Sequence, residues 1–325
     1  MELLRGLGSL GGLCDRNRPC VATIGAFDGV HCGHRAVVQQ LAEQGAALGL
    51  PTTVVTFEPL PREFLAGHEA PARLQSFRDK YEALRDLGVD RLLCLRFNDG
   101  LRQMSADAFA REVFVDGLAT KALVLGDDFR FGRSREGDAS FMRALGEREG
   151  FTVQGMRTVL VDGERVSSTR LRAALAHGDF ELTKRLLGRP FELRGRVMHG
   201  RRLGRELGAP TANVGLRRRS VPLSGVYAVR ATGGNLVEAP AIANVGTRPT
   251  VADAQRANLE VHILEGDHAL YGERLTVTFE HKLRDEQRFE SVDQLKERIH
   301  SDIAQARAWF AGDVLPVVDW EQTKA

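Results

Sequence analysis

Hydrophobic residues in the first half of the chain come in short runs, and a longer segment with a helical period follows each run. The runs are rich in Val, Leu and Phe and predict strands at Val21–Phe27, Thr52–Phe57, Arg91–Phe97 and Lys121–Leu125. Apolar residues three or four positions apart predict helices at Arg35–Leu48, Ser76–Leu87, Ser105–Gly117 and Ala139–Glu149. Because strands that alternate with helices build βαβ units, we expect an α/β fold with a parallel sheet here.

The second half of the chain has a different period. After Gly188-Arg189-Pro190, short alternating segments predict strands at Glu192–Met198, Gly225–Ala231, Ala239–Val245, Asn258–Leu264 and Arg274–Lys282. Short strands separated by turn residues are typical of an antiparallel barrel. Apolar residues at helical spacing then predict a final amphipathic helix through Val292, Leu295, Ile299, Ile303 and Ala306. We therefore expect two domains, residues 1–187 and residues 188–325.

Composition narrows the class of protein. The chain has 325 residues, 43% hydrophobic and 27% charged, which is typical of a globular protein long enough for two domains. The net charge of +2 does not predict nucleic-acid binding. No apolar run approaches the roughly 20 residues that span a bilayer, and the start of the chain lacks a signal-peptide pattern. The four cysteines form no CxxC pair, which argues against structural zinc and disulfides. We expect a cytoplasmic protein without nucleic-acid, membrane or obligate protein partners.

Small and ionisable residues cluster where the first strand gives way to a helix, at Asp28, Gly29, His31, Gly33 and His34. Parallel sheets bind ligands at the carboxyl ends of their strands, and a helix N-terminus there favours phosphate. Because the two histidines are three positions apart, both can face one phosphoryl group. The pattern predicts a nucleotide site. Two other interpretations are a metal site, for which no third ligand is evident, and a pair of surface histidines.

Two further segments carry candidate phosphate chemistry. Gly126-Asp127-Asp128 follows the fourth predicted strand, at the same edge of the sheet. Ser168 and Thr169 open a predicted helix, where hydroxyl and N–H groups hold phosphates, and Arg170 would neutralise a departing pyrophosphate. The alternatives are charges that solvate a loop and a plain capped helix start.

These segments resemble a known family. His31-Cys32-Gly33-His34 is similar to the HxGH signature of the nucleotidyltransferase superfamily, which includes class I aminoacyl-tRNA synthetases. Leu125–Gly132 and Val166–Arg172 resemble the FMN adenylyltransferase module of bacterial bifunctional riboflavin kinase/FAD synthetases. The family commonly has Pro-His-Pro where this chain has Pro59-Leu60-Pro61, and we expect Leu60 to pack there instead.

The resemblance implies a Rossmann-like nucleotidyltransferase domain with His31, His34 and Arg170 as catalytic residues. It implies nucleotide-binding residues, which are Gly25, Phe27, Asp28, Gly29, Gly33, Gly126, Asp128, Ser168 and Thr169.

The second half holds another group of candidate residues. Glycines between Gly200 and Gly208 would let a loop fold over phosphates, and Arg205 can pair with them. Thr211 and Asn213 offer oxygen ligands that suit Mg²⁺ on ATP phosphates. The alternative is a turn in which the asparagine hydrogen-bonds locally.

Glu260 lies in an alternating strand, where its carboxylate could accept the proton of an alcohol. Its alternative role is that of a solvent-exposed side chain.

These residues belong to motifs that resemble riboflavin kinases: Gly195–Val214, Ala243–Thr250, Leu259–His262, Leu270–Gly272 and Leu283–Glu286. The resemblance implies Mg–ATP binding by Thr211 and Asn213, and Glu260 as the base for the riboflavin 5′-hydroxyl. It implies that Gly200, Arg205, Ile263 and Tyr271 bind nucleotide, and that Arg284, Gln287 and Phe289 bind flavin. The alternative interpretation of Ile263 and Tyr271 is ordinary core, and that of the flavin residues is a charged loop before the final helix.

The expected function is therefore bifunctional. An antiparallel β-barrel kinase domain would phosphorylate riboflavin with ATP, and the α/β domain would adenylylate FMN with ATP to FAD and pyrophosphate, both with Mg²⁺. The rival hypotheses are a monofunctional riboflavin kinase and a flavin-sensing regulator with a degenerate enzyme fold.

Overall fold

The computed structural model describes residues 1–11, 19–126, 128–199, 208–216, 218–248, 256–266 and 268–313. The chain divides into two compact units, of which the first ends at Ser168 and the second begins at Thr169. Across the described ranges, we find no helix with the length and apolar character needed to cross a membrane.

A parallel sheet forms the centre of the first unit. Its strands, β1 to β6, span Glu2–Arg5, Cys20–Ile24, Thr52–Phe57, Arg91–Leu95, Thr120–Leu125 and Thr152–Gly155. They lie in the order β1-β4-β3-β2-β5-β6, and every neighbouring pair is parallel. This confirms the predicted α/β fold. It adds the edge strands β1 and β6, which the apolar pattern did not predict because edge strands bury few side chains. A short hairpin follows, with β7 at Leu160–Val161 and β8 at Glu164–Arg165.

Helices fill the connections between these strands. The helices α1 to α7 span Gly8–Gly11, Cys32–Leu48, Pro61–Ala66, Phe77–Asp86, Asp99–Gln103, Ala106–Ala110 and Ala139–Glu149. The single helix predicted over Ser105–Gly117 is instead α6 followed by a π-helix, Arg111–Gly117. Gly117 permits a close approach of Leu10 to the end of the π-helix, because a Cβ on this glycine would lie 2.6 Å from Leu10 Cδ1.

The order of the strands determines where a ligand can bind. From β2 the chain continues to β3 and β4 on one side, whereas β5 and β6 lie on the other side. The direction of winding therefore reverses between β2 and β5, and open parallel sheets bind ligands outside the carboxyl ends of strands at such a point. Both predicted nucleotide-binding loops, after β2 and after β5, start at this edge.

A closed barrel forms the second unit. Its strands, β9 to β14, span Glu192–Met198, Ala212–Gly215, Gly225–Gly233, Leu236–Arg248, Arg256–Ile263 and Arg274–Arg284. Neighbours pair antiparallel in the order β10-β13-β12-β11-β14-β9, and β9 closes on β10. This confirms the predicted barrel and adds β10. That strand has four residues, of which only Val214 is buried, too few to show an alternating pattern.

Among the residues that the structure describes, three helices accompany the barrel: α8 (Ser168–His177), α9 (Phe180–Leu187) and α10 (Val292–Ala311). The last confirms the predicted C-terminal helix. The Phe180 ring packs against Tyr227 at 5.8 Å, so α9 lies against the barrel. The compact units accordingly divide at the start of α8. The division into domains 1–187 and 188–325 stays a prediction.

Candidate active sites

The turn between β2 and α2 has an unusual backbone. Phe27 and Val30 adopt positive φ angles of 46° and 39°, and Gly29 lies between them at 98°. Positive φ is costly for residues with a side chain, and such conformations persist where the surroundings hold them, often at functional sites. The strain lies directly before His31, at the edge of the sheet where winding reverses.

The structure brings His31 and His34 together. His31 is the N-cap of α2, and its Nδ1 accepts the backbone N–H of His34 at 3.3 Å. The two imidazole rings stack with centroids 3.7 Å apart, and Phe27 covers His34 at 4.9 Å. Gly33 makes room for the His31 ring, because a Cβ on Gly33 would lie 3.2 Å from Nδ1. Gly25 similarly makes room for Phe27, whose ring would lie 3.2 Å from a Cβ on that glycine.

His34 is held in its neutral form. Desolvation by burial lowers its pKa well below the usual value, and Coulomb interactions with His31 and Lys80 lower it further. Its Nδ1 is buried and has no hydrogen-bond partner in the described structure. Within the described ranges there is no cluster of three or more His, Cys, Asp or Glu side chains that could hold a metal. The buried His34 ring is therefore a neutral imidazole that stacks on His31.

Asp28, three residues before His31, is held by hydrogen bonds on its carboxylate and on its carbonyl. Asp28 is 2% exposed, and its carboxylate accepts the backbone N–H groups of Leu74 and Gln75 at 3.1 to 3.2 Å. The Ser168 hydroxyl donates to the Asp28 carbonyl at 2.8 Å, which fixes the start of α8. Thr169 and Arg170 are the next residues of that helix, and they belong to the second unit.

The second predicted nucleotide segment follows β5. A Cβ on Gly126 would lie 3.1 Å from Asp128 Oδ1 and 3.1 Å from Met156 Sδ, so a glycine is needed here. Asp128 is exposed and forms an ion pair with Arg165 at 3.3 Å. Asp127 lies outside the described residues.

Sequence reasoning missed Lys80, which lies at the same edge of the sheet. Lys80 is 1% exposed and donates to the Ala26 carbonyl at 2.6 Å. Its position in the apolar stripe of α4, between Phe77 and Leu84, was a signal that could have identified it.

An aromatic cluster was also missed. Phe97 packs edge-on against Phe57 at 5.8 Å and Phe64 at 5.5 Å, and Phe64 remains 36% exposed. Leu60 is 6% exposed, so it does pack where the family commonly has histidine.

On the barrel, strand register brings the kinase residues together. Asn213 of β10 and Asn244 of β12 both lie opposite Glu260 of β13, so the three side chains leave the barrel wall on the same face. Asn258 Nδ2 donates to Glu260 Oε1 at 3.1 Å and orients the carboxylate. Neither Asn244 nor Asn258 was singled out from the sequence, since only the register identifies them as neighbours.

Thr211 lies directly before β10, and His262 Nδ1 is 2.8 Å from the Pro210 carbonyl oxygen, which ties this segment to β13. Asn213 lies opposite Glu260, and Thr211 lies two residues before Asn213 in the chain. Their side chains offer oxygen donors of the type that Mg²⁺ prefers, so the residues present fit that ion. Gly200 and Arg205 lie outside the described residues.

The remaining nucleotide candidates are separate features of the barrel. Ile263 ends β13 and is half-buried. Tyr271 is 42% exposed, and its ring stacks on His199 at 4.3 Å. An exposed aromatic pair of this kind offers a flat apolar surface to a base.

Arg284 is engaged within the protein. Its Nε and Nη2 donate to the Asp302 carboxylate of α10 at 2.8 to 3.0 Å, and both residues are buried. Its guanidinium also lies 5.8 Å from the ring of Phe289, whereas Gln287 is exposed. In this structure Arg284 attaches α10 to the barrel, and its predicted contact with flavin stays a prediction.

Replacing Asp302 with alanine is expected to lower the free energy of unfolding by about 3–5 kcal/mol, because Arg284 is left buried without its partner. Urea denaturation followed by tryptophan fluorescence measures this, since Trp309 and Trp320 both lie near the C-terminus. The double variant Arg284→Met/Asp302→Leu should recover most of the loss. A loss below about 1 kcal/mol, as for an exposed ion pair, would contradict the assignment.

Comparisons with known proteins match a different family model to each part of the chain. An FAD synthetase family model matches residues 14–170, and a riboflavin kinase family model matches residues 187–310. A Pseudomonas fluorescens protein named bifunctional riboflavin kinase/FMN adenylyltransferase is 52% identical over 314 residues, which cover 96% of this chain and 98% of that protein. The protein of the same name from Escherichia coli K12 is 46% identical over 310 residues, which cover 95% and 98%.

A crystal structure from Streptococcus pneumoniae, titled as a macrolide-efflux protein, is also similar. It superimposes with a TM-score of 0.77 at 28% identity, and the match covers 95% of this chain and 100% of that one. The identities of 52% and 46% to the two named relatives over nearly the whole chain, together with both family models, show the family. This chain belongs to the bifunctional riboflavin kinase/FMN adenylyltransferases.

Proposed function

We propose that this chain makes FAD from riboflavin in two steps, one on each unit. The barrel transfers the γ-phosphoryl group of ATP to riboflavin and gives FMN and ADP. The parallel-sheet unit transfers AMP from ATP to FMN and gives FAD and pyrophosphate. The observation that carries the proposal is the juxtaposition, in each unit, of the side chains that its reaction requires: His31 with His34, and Asn213 with Glu260.

In the kinase step, Glu260 accepts the proton of the riboflavin 5′-hydroxyl while that oxygen bonds to the γ-phosphorus. The bond to the β–γ bridging oxygen breaks, and ADP leaves. Asn258 supports this role because its amide holds one oxygen of the carboxylate. Thr211 and Asn213 would hold Mg²⁺, which when bound neutralises charge on the phosphates.

In the adenylyl-transfer step, a phosphate oxygen of FMN bonds to the α-phosphorus of ATP, and pyrophosphate leaves with the electrons of the broken bond. Because His31 Nδ1 accepts a backbone N–H, a neutral His31 carries its proton on Nε2 and donates from there. Donors from His31 and His34 would stabilise the charge that develops on the α-phosphate oxygens. Ser168, Thr169 and Arg170 are proposed, from the resemblance alone, to bind the leaving pyrophosphate.

The flavin of the second step requires an apolar surface in the first unit. The partly exposed cluster of Phe57, Phe64 and Phe97 supplies edge and face contacts for a flat ring system. We assign the isoalloxazine ring of FMN to this cluster, and the buried Leu60 is the N-cap of α3, the helix that carries Phe64.

The remaining assignments are proposals on the same basis. The functional domains are residues 1–187 and 188–325, both steps use Mg²⁺, and the protein acts in the cytoplasm. Its partners are ATP, riboflavin and FMN, without nucleic acid, membrane or an obligate protein partner.

Incubation of the purified chain with riboflavin and Mg–ATP tests the function, with flavins separated by chromatography over time. We expect FMN to rise and then fall as FAD accumulates, with pyrophosphate released in step with FAD. Accumulation of FMN alone would favour a monofunctional kinase. Flavin binding without ATP consumption would favour a flavin-sensing regulator.

A further inference from the structure

Lys80 is a buried cation that neither sequence motif includes. Its side chain is 1% exposed, and Nζ donates to the Ala26 carbonyl at 2.6 Å and contacts Thr56 Oγ1 at 3.3 Å. Burying an ammonium group costs free energy unless its partners compensate. An apolar residue at this position of α4 would be buried at a lower cost in free energy. We therefore expect the lysine to have a function.

The carbonyl that Lys80 holds is the last one before the strained turn. Thr56 Oγ1 also donates to the Ala26 carbonyl, at 3.2 Å, so two donors from different elements converge on this oxygen. The next residue is Phe27, with φ 46°, and the turn continues through Val30 to His31. A strained turn needs contacts that over-determine it, and this pair of donors fixes its start.

The charge of Lys80 also faces the candidate site. The ionisable groups around it are the carboxylates of Asp28, Glu58 and Glu63, the guanidinium of Arg73, the thiol of Cys94 and the imidazole of His34. Burial lowers the pKa of Lys80 to about 8, against the opposing effect of Asp28. Lys80 is therefore mostly protonated at neutral pH.

That positive charge acts on His34. After desolvation and the Coulomb interaction with His31, the charge of Lys80 is the third cause that lowers the pKa of His34. Protonating His34 would place one more cation among these groups and leave its buried Nδ1–H without an acceptor.

We infer that Lys80 is a positioning residue of the adenylyl-transfer site. Its ammonium holds the Ala26 carbonyl, and with it the strained turn that carries His31. The inference rests on the proposed function for its kinetic consequences, but the titration of His34 follows from the structure alone.

Lys80→Met keeps the length and apolar stem of the side chain and removes the charge. We expect the rate of FMN adenylylation to fall by about 10²-fold, since small displacements of catalytic groups have effects of this size. Phosphorylation of riboflavin should be unchanged. Lys121→Met, which removes an exposed lysine of the same unit, is the matched control and should change neither rate.

The pH profile separates this role from a merely structural one. In Lys80→Met the pKa of His34 should rise, because one cause of its depression is gone, so the acid limb of adenylyl transfer moves to higher pH. Imidazole ¹H–¹⁵N spectra of the full chain measure the same shift directly and need no substrate. A His34 titration and a pH profile identical to wild type would overturn the inference, whatever the rate.

If the methionine variant does not fold, Lys80→Arg tests the role of the Lys80 charge instead. Wild-type adenylyl transfer should decline as pH rises through about 8, because Lys80 loses its charge there and holds the Ala26 carbonyl by a weaker, uncharged hydrogen bond. A guanidinium stays charged, so this variant should lack that decline and keep the acid limb in place. The same alkaline decline in both proteins would overturn the inference. Failure of the wild type to form FAD would instead reject the proposed function and leave the His34 titration as the test.

Discussion

Riboflavin phosphorylation is expected to fall by about 10²–10⁴-fold when Glu260 is replaced by glutamine, the range that general base catalysis contributes. The replacement keeps the shape of the side chain and its contact with Asn258 but removes the group that accepts the proton. Because strand pairing places Glu260 opposite both Asn213 and Asn244, the variant amide should remain in position. The rate of FMN formation from riboflavin and Mg–ATP measures the effect.

The same sample reports the other activity when FMN is supplied directly. Adenylylation of supplied FMN should continue at the wild-type rate, since the histidine pair lies in the first unit. Glu265→Gln is a matched control, because Glu265 is exposed two residues beyond the end of β13. Loss of both activities in a folded Glu260→Gln protein would contradict the division of labour between the units.

Combined replacement of His31 and His34 by alanine should have the opposite selectivity. Losing one donor to a developing oxyanion typically costs about 2.7–4 kcal/mol, or roughly 10²–10³-fold, so the double variant should show no measurable FAD formation from FMN. The single replacements should not be additive, because the stacked rings at 3.7 Å and the Nδ1 cap make each ring part of the other's support. Pyrophosphate release measures the loss.

Phosphorylation of riboflavin by the double variant should remain at the wild-type rate, which also shows that the barrel is folded. His68→Ala removes an exposed histidine of the first unit and should leave both activities intact. FAD formation above one-tenth of the wild-type rate in the double variant would reject the imidazole pair as the catalytic groups.

Much of the secondary structure follows from local pattern. The bounds of β3 (Thr52–Phe57) and α7 (Ala139–Glu149) agree with those predicted, because each apolar pattern is bounded by turn or capping residues. Ser105 caps α6 as its position before the apolar stripe predicts. Where the local signal is weak, as in the short strand β10, the prediction failed although the fold class was correct.

The residues of each motif lie within one strand, turn or helix start, while their roles stay predictions. The pairing of His31 with His34 follows from a local arrangement, because His31 caps the helix of which His34 is the third residue. The lowered pKa of His34 does not follow from local sequence, since it depends on burial and on a lysine from a helix that lies far along the sequence.

Tertiary structure decided the partners of the charged residues. Nothing local to Arg284 shows that Asp302 will neutralise it, and nothing local to Lys80 shows that it will hold the Ala26 carbonyl. Sequence by itself determined the two folds and the positions of their reactive groups, because side-chain period and short motifs are local properties. The environment of those groups was decided only when the strands assembled, because desolvation and Coulomb interactions depend on distances between residues far apart in the chain.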